Sequence, residues 1–154
     1  MTFPTRMIWR AEFASIDGDL MAKAAAGYSG KPLFQKLGLK PGMRCLSLRA
    51  PDHYQDLLKG VEDVRFLTRA ASADVVHLFC RQRRDVAPLF DRALRSVVEG
   101  GMIWASWPKK SSSLYKDLTE QDFRDHILPL GWVDVKVCAV DVDWSGLKFL
   151  KRRG

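Results

Sequence analysis

Apolar residues along this chain follow two patterns, one typical of buried strands and one typical of helices. The strand pattern is a short apolar run, rich in β-branched and aromatic residues, that ends at turn residues. Runs of this kind occupy residues 43–49, 64–69, 74–80 and 102–107. Residues 132–153 favour two further strands. Their turn is expected near Asp143–Gly146, with Asp and Ser side chains bonding the backbone and Gly146 taking a positive φ.

Helical periodicity is strongest in residues 86–99. Apolar side chains recur there every three or four positions and form one continuous face. Asp85 is the expected N-cap of this helix, because a short acidic side chain bonds the free N–H groups of a first turn. Gly100 and Gly101 are its expected end, since glycine is the usual residue where a helix stops.

Three weaker helices are predicted elsewhere. The first has Ser29 as a cap and ends at Gly38. The second covers residues 51–60, with a proline early and a glycine at its end. The last begins at Thr119, whose spacing from Asp122 is that of a capping box.

The alternation of strands and helices predicts an α/β fold. We expect a three-layer Rossmann-like sandwich, with a mostly parallel sheet and a C-terminal antiparallel hairpin. The links 50–73, 81–101 and 108–132 are long enough for the crossovers between parallel strands. Only residues 70–73 separate strand 64–69 from the next strand, so 64–69 should be either antiparallel or much shorter.

The first 26 residues differ from the rest in charge. Their three basic and three acidic residues cancel, so the formal net charge of +7 belongs to the remainder. We interpret residues 1–26 as an N-terminal extension and residues 27–154 as a single domain. The basic balance favours an anionic small molecule, an acidic partner or nucleic acid as the binding partner.

Cys45, Cys80 and Cys138 each lie within an apolar run, and the sequence has no C-x-x-C pair. This pattern favours buried, reduced thiols over a disulfide or a zinc site, and we predict no metal. Reduced thiols indicate a cytoplasmic protein. No segment reaches the roughly 18 apolar residues of a membrane helix, so no membrane contact is expected. Charged residues also interrupt the N-terminal stretch where a signal peptide would need an apolar core.

Basic residues follow three of the predicted strands at their carboxyl ends. Arg49 follows the first strand, Arg81 the third, and Lys109 and Lys110 the fourth. Ligands of open α/β sheets bind outside the carboxyl ends of the strands, so these cations predict an anion site there. The full set of candidate ligand-binding residues is Arg49, His53, Arg81, Trp107, Lys109, Lys110 and Ser111.

Structural explanations compete with this site. Basic strand ends are also typical of a solvated rim, and Trp107 is either a core anchor or a side chain that stacks on a ligand ring. Asp141 and Asp143 suit a turn better than a catalytic acid and base. His77 lies in mid-strand and fits a core histidine. The common nucleophile, zinc-protease and phosphate-loop motifs do not occur, so no catalytic residue is predicted.

The segments LGLKPGMRCLSL, ADVVHLF and VVEGGMIWAS, followed by a terminal hairpin, resemble class I S-adenosylmethionine methyltransferases over roughly residues 33–152. The resemblance implies a Rossmann-like fold with S-adenosylmethionine as cofactor. In that family an acidic, glycine-rich turn follows the first strand, and an acid that binds the ribose ends the second. After its first strand this chain has Arg49 and no glycine. Its second strand ends at Arg69 and not at an acid. We therefore expect the standard cofactor loop to be absent.

A second resemblance covers about residues 27–153. The segments AGYSGKPLFQKLGLKPG, WPKKSSS, DLTE and WVDVKVCAVDVDWSGLKFLKRR are similar to a family of small bacterial proteins of unknown function. This resemblance implies a bacterial cytosolic protein and supplies no activity.

Three functional hypotheses follow. The leading one is a methyltransferase-like domain, not expected to be an enzyme, that binds an anionic small molecule or an acidic partner through Arg49, Lys109 and Lys110. The second is an active methyltransferase that holds S-adenosylmethionine in an atypical site. The third is a nucleic-acid-binding accessory domain that uses residues 81–84, Lys109 with Lys110, and residues 148–153.

Overall fold

The structure is a computed structural model, and it describes residues 31–153. The predicted N-terminal extension and the predicted cap Ser29 lie outside these residues. The strands are β1 Arg44–Leu48, β2 Arg65–Leu67, β3 Ala73–Phe79, β4 Val97–Pro108, β5 Trp132–Ala139 and β6 Trp144–Lys151. The α-helices are α1 Leu33–Leu37, α2 Tyr54–Leu57, α3 Val86–Ser96 and α4 Glu120–Ile127, with 3-10 turns at Arg83–Asp85 and Leu128–Leu130.

The six strands form one sheet in the order β2-β1-β3-β4-β6-β5. The first four strands are parallel, and β6 runs antiparallel to both β4 and β5. Helices cover both faces of this sheet. The structure therefore confirms the predicted three-layer Rossmann-like sandwich and its C-terminal antiparallel hairpin.

Strand β2 resolves the problem posed by the short link before β3. It is parallel to β1 and only three residues long, with Arg44 opposite Arg65 and Leu46 opposite Leu67. The link from Leu67 to Ala73 must cross β1, a sideways shift of about 10 Å. Six extended steps reach roughly 20 Å, which is enough only because β2 ends so early. The segment 64–69 is thus much shorter as a strand than its apolar pattern alone predicted.

Each face of the sheet carries its own apolar core. Alternation along β4 sends Ile103, Ala105 and Trp107 towards α3 and α4, while Met102 and Trp104 point towards α1 and α2. The predicted split between Trp104 and Trp107 is confirmed. Burial on both faces explains why the central strands are nearly continuous apolar runs.

The end of α3 differs from the prediction. The helix stops at Ser96, and Gly100 and Gly101 belong to the start of β4. Val97 continues the apolar face of the helix and also suits the start of a strand. The helical pattern therefore predicted a longer helix than the structure contains. A Cβ on Gly101 would lie 2.8 Å from the carbonyl oxygen of Asp74 on β3. This glycine therefore permits two strands to approach closely.

Helix caps match the prediction in part. Thr119 and Asp122 form the expected capping box of α4, and Gly38 ends α1 with φ of 82°. Asp85 precedes α3, but its carboxylate caps the 3-10 turn before it by accepting the N–H groups of Arg81 and Gln82. Pro88, the third residue of α3, has no N–H to donate to this carboxylate.

Two other observed boundaries differ from the predicted ones. The helix predicted over 51–60 is the single turn α2. The final hairpin turns at residues 140–143 instead of 143–146, and Gly146 lies within β6 without a positive φ. A Cβ on Gly146 would meet Ser106 and Trp104 at 3.3 Å. Close packing against β4 therefore explains this glycine, and turn geometry does not.

Candidate functional site

The carboxyl ends of the parallel strands carry the cations that the sequence predicted there. Arg49 follows β1 directly, Arg81 stands two residues beyond β3, and Lys109 follows β4 directly. The backbone N–H of Cys80 donates to Ser106 on β4, so β3 and β4 stay paired up to this edge. Burial raises the pKa of the Cys80 thiol, and Arg49 lies close enough to oppose that shift. Arg49 and the end of β3 are therefore neighbours.

Arg49 has a backbone conformation that side chains rarely adopt. Its φ is 61°, in the left-handed region that glycine enters without cost. The bend after β1 therefore uses a backbone conformation typical of glycine, but it carries a guanidinium group. The side chain of Arg49 is exposed at the edge of the sheet.

His53, in the loop after β1, binds the turn between β5 and β6. Its Nε2 lies 2.8 Å from Oδ2 of Asp141. The other oxygen of Asp141 accepts the N–H groups of Asp143 and Trp144, each at 2.8 Å. The predicted self-bonded turn is confirmed here, and it also fixes the orientation of the His53 ring.

Lys109 is the most enclosed cation of this edge. The backbone N–H of Lys109 donates to the backbone carbonyl oxygen of Asp143 at 2.8 Å. Burial lowers the pKa of its ammonium group, the carboxylates of Asp141 and Asp143 raise it, and the nearby charge of Lys36 lowers it further. The Lys109 ammonium is therefore near the acidic side chains of the hairpin turn and near Lys36 of α1.

Serine enters the site one position later than predicted. Ser112 donates its hydroxyl hydrogen to Oδ1 of Asp143 at 2.8 Å and accepts the N–H of Leu114 at 3.0 Å. Ser111 is exposed, and no side-chain bond joins it to another residue of the described chain. Ser112 thus shapes the loop after β4 by tying it to the hairpin.

Trp107 and Lys110 lie on the opposite face of the sheet from His53. Trp107 is 8% exposed and packs on Phe123 with ring centroids 5.4 Å apart. Together with Lys110 and the start of α4 it lines a groove of about 380 Å³. The structure therefore separates these two candidates from the group formed by His53, Lys109 and Asp141.

Arg81 packs on an aromatic ring. Its guanidinium carbon lies 5.3 Å from the ring centroid of Trp144, while the side chain remains exposed. A cation over an indole face is held by the quadrupole of the ring. Trp144 itself is 1% exposed, so it supports Arg81 and offers little surface to a ligand.

His77 is a core histidine, as its position in mid-strand predicted. Its Nδ1 lies 2.8 Å from the Tyr54 hydroxyl and its Nε2 lies 2.7 Å from the Ser106 hydroxyl. A neutral imidazole donates from one nitrogen and accepts at the other, so both bonds are satisfied. Complete burial lowers the pKa of His77 to about 3.

The pattern analysis missed Lys36. This residue is 5% exposed, and its ammonium group donates to the carbonyl of Ala139 on β5 at 3.2 Å. One signal was present: Lys36 stands three residues after Leu33 and next to Leu37, on the apolar side of α1. A lysine in that position must either reach solvent or find a buried acceptor.

The three cysteines are buried and free, which confirms the predicted buried thiols. Within residues 31–153, no group of three or more His, Cys, Asp or Glu side chains is arranged to hold a metal ion. No helix in the described part of the chain has the length and apolar character needed to cross a membrane.

No protein-family model matches this chain, and neither does any curated protein sequence. Among solved structures, a possible exported protein from Bordetella parapertussis matches with a TM-score of 0.54 and 10% identity, over 78% of this chain and 65% of that one. PH0851 matches with a TM-score of 0.52 and 14% identity, over 77% of this chain and 45% of that one. Aeropyrum pernix fibrillarin, solved with natively bound S-adenosyl-L-methionine, matches with a TM-score of 0.48 and 16% identity, over 86% and 74%.

These likenesses show the fold alone, because every identity is low. The chain spans less than two thirds of the Bordetella protein and less than half of PH0851. The identity of a ligand has to be argued from the side chains of this chain.

Proposed function

We propose that this chain is a methyltransferase-like domain that binds an anionic small molecule at the carboxyl edge of its parallel strands. One observation supports this most strongly. Each of the four parallel strands is followed within two residues by a basic side chain, namely Arg49, Arg69, Arg81 and Lys109. Strand ends of this fold class are where ligands bind.

Within residues 31–153, ion pairs balance only part of the charge at this edge. Arg49, Arg69 and Arg81 are exposed, and no carboxylate of residues 31–153 forms an ion pair with them. By contrast Arg83, two residues beyond Arg81, binds Asp122 at 3.2 Å. Guanidinium groups without carboxylate partners suit the oxygens of a phosphate or carboxylate, because their donors match that geometry.

The turn between β5 and β6 holds two loops of this edge in place. Asp141 holds His53 of the loop after β1, and Asp143 holds Ser112 of the loop after β4. Both loops are thereby tied to one rigid turn. A site whose loops are already fixed loses less conformational entropy when a ligand binds.

S-adenosylmethionine, the cofactor that the sequence resemblance implies, does not fit the residues at this edge. The left-handed turn at Arg49 places a long cation where a glycine would let the backbone approach a ligand. Residues 66–72, which end β2 and lead to β3, contain no acid to bind ribose hydroxyls. We therefore infer no methyl transfer, and a neutral or cationic ligand fits this edge less well than an anion.

The proposal is tested by calorimetric titration of the full chain with phosphate, adenosine monophosphate and S-adenosylmethionine at low salt. The variant Arg49→Asn with Arg81→Gln removes two edge cations, and asparagine tolerates the left-handed φ. We expect it to weaken binding of the two phosphates about tenfold or more, which is 1.4 kcal/mol or more of binding free energy.

A matched control is Arg92→Gln with Arg153→Gln, which removes the same charge from exposed positions on α3 and near the C-terminus. Equal weakening in the control would show that only net charge matters. Absence of phosphate binding in the unaltered chain would refute the site. Tight binding of S-adenosylmethionine would favour the active methyltransferase instead.

A further inference from the structure

The groove beside α4 lies on the face of the sheet that α3 and α4 cover. Its volume is about 380 Å³. It is bordered by Trp107 near the end of β4, by Lys110 and Leu118 of the following loop, and by the first turn of α4. None of the four cations of the proposed edge site lines it. The groove is therefore a separate place to look for a ligand.

Trp107 brings a buried hydrogen-bond donor to this groove. The residue is 8% exposed, and its ring packs on Phe123. Among residues 31–153, no atom accepts a hydrogen bond from its indole N–H. By contrast, the indole N–H of Trp104 donates to the carbonyl oxygen of Leu37 at 3.0 Å. A buried donor without an acceptor is unfavourable, so an acceptor held in the groove would stabilise Trp107.

The first turn of α4 adds two backbone donors. Its capping box uses the N–H groups of Thr119 and Asp122. Those of Glu120 and Gln121 donate to no atom of residues 31–153, as expected where a helix begins. Both residues line the groove. The positive end of the helix dipole adds to these donors, so this wall of the groove favours an anion.

The charges around the groove leave one cation unpaired. Arg124 binds the carboxylate of Glu120, and it also binds Asp134 at 3.1 Å. The acid of the groove is thus already paired. Lys110 is exposed, and no carboxylate of residues 31–153 forms an ion pair with it. One unpaired lysine matches one negative charge, and the Glu120 carboxylate opposes a second.

We propose that this groove binds a small carboxylate that carries an apolar body. The carboxylate oxygens accept from the Trp107 indole, from the first N–H groups of α4 and from Lys110. A carboxylate group alone fills only a small part of the groove, and the apolar body fills the rest against Trp107 and Leu118, the apolar residues of the lining. This site goes beyond the proposed function, because it shares no residue with the edge site.

The test follows the indole N–H signals of the full chain in proton–nitrogen NMR spectra. Benzoate is the probe and benzyl alcohol its neutral analogue, each titrated at one ionic strength. The Trp107 signal is the one that disappears in Trp107→Phe. We expect benzoate to shift this signal downfield to saturation, because a hydrogen bond to oxygen deshields the proton. Benzyl alcohol should bind about tenfold more weakly, since it lacks the charge.

Two variants test the donors separately. Lys110→Gln should weaken benzoate binding about fivefold, which corresponds to one exposed ion pair. Lys116→Gln is the matched control, because Lys116 is exposed in the same loop and does not line the groove. Trp107→Phe keeps an aromatic ring without the N–H, and should also weaken binding about fivefold, read from the backbone signals of Glu120 and Gln121. If Trp107→Phe folds poorly, Lys110→Gln against Lys116→Gln decides.

Four results would overturn the inference. The first is a Trp107 indole signal that stays in place throughout the benzoate titration. The second is equal affinity for benzoate and benzyl alcohol. The third is an equal loss of affinity in Lys110→Gln and Lys116→Gln. The fourth is a larger shift of the Trp107 signal by orthophosphate than by benzoate at equal concentration, which would make the groove a phosphate site.

The same titrations separate this groove from the proposed edge site. Arg49→Asn with Arg81→Gln should leave benzoate binding unchanged, and Lys110→Gln should leave orthophosphate binding unchanged. If the arginine variant loses benzoate as well as phosphate, benzoate binds at the edge and the groove fails. If the chain binds benzoate at Trp107 but binds no phosphate, the edge site fails and the groove remains.

Discussion

At the scale of single residues, Asp141 connects the hairpin turn to the loop after β1. Its side chain is 11% exposed and uses both oxygens. One oxygen closes the hairpin turn through two backbone N–H groups, and the other binds His53. The first of these roles follows from the ordinary chemistry of aspartate in turns. The second depends on a residue 88 positions away, which no local pattern indicates.

Replacing Asp141 should therefore affect stability and the site together. We expect Asp141→Ala to lower the free energy of unfolding by about 2 kcal/mol, because it leaves two backbone donors without their acceptor. Urea denaturation followed by tryptophan fluorescence measures this change. Val142→Ala is the control in the same turn, since Val142 is 62% exposed. Equal losses in the two variants would contradict the role assigned to the carboxylate.

At the scale of elements, the sequence predicted what depends on neighbours along the chain. The capping box of α4, the stop of α1 at Gly38 and the apolar faces of the strands all depend on residues within a few positions. The junction of α3 and β4 was misplaced because the deciding contact is with β3. The position of Gly101 against Asp74 is a long-range fact, although two adjacent glycines resemble a local helix stop.

The two glycines at this junction should respond differently to alanine. Gly100 has φ of 83° and open space around its Cα, so Gly100→Ala should cost about 1 kcal/mol of backbone strain. Gly101→Ala would press a methyl group against two carbonyl oxygens at 2.8 Å and 3.0 Å. We expect a loss of about 3 kcal/mol there, as in a strongly overpacked core.

Thermal unfolding of the two variants measures the difference. If alanine were tolerated better at position 101 than at 100, the helix-stop interpretation would be correct and the close approach of β3 and β4 would be wrong. A lower melting temperature for Gly101→Ala than for Gly100→Ala supports the junction described above.

At the scale of the whole molecule, the candidate site is only partly visible in the sequence. Arg49, Arg81 and Lys109 were found because a parallel sheet must bring its strand ends together. Lys36 and Asp141 join them through contacts between α1, the hairpin and the loops. Those contacts arise from packing of distant segments, so residue types and spacing were not enough to predict them.

The molecule as a whole should also lose stability in weak acid, because folding keeps His77 neutral. The pKa of His77 falls from 6.5 to about 3 on folding. Between these values the unfolded chain binds a proton that the folded chain excludes, so stability is complete above pH 6.5 and falls as the pH falls. One such group changes the free energy of unfolding by about 1.4 kcal/mol per pH unit.

Urea denaturation between pH 6.5 and 4.5 measures this dependence, and two variants isolate its source. His77→Gln should flatten the loss, because glutamine does not titrate. Ser106→Ala should lower stability at every pH through a lost hydrogen bond but keep the slope, since the imidazole remains buried. The lowered pKa of Asp74 adds stability that is lost only below its usual value of 3.8, so it does not act in this range. An unchanged slope in His77→Gln would assign the acid sensitivity to other groups and leave His77 with a purely packing role.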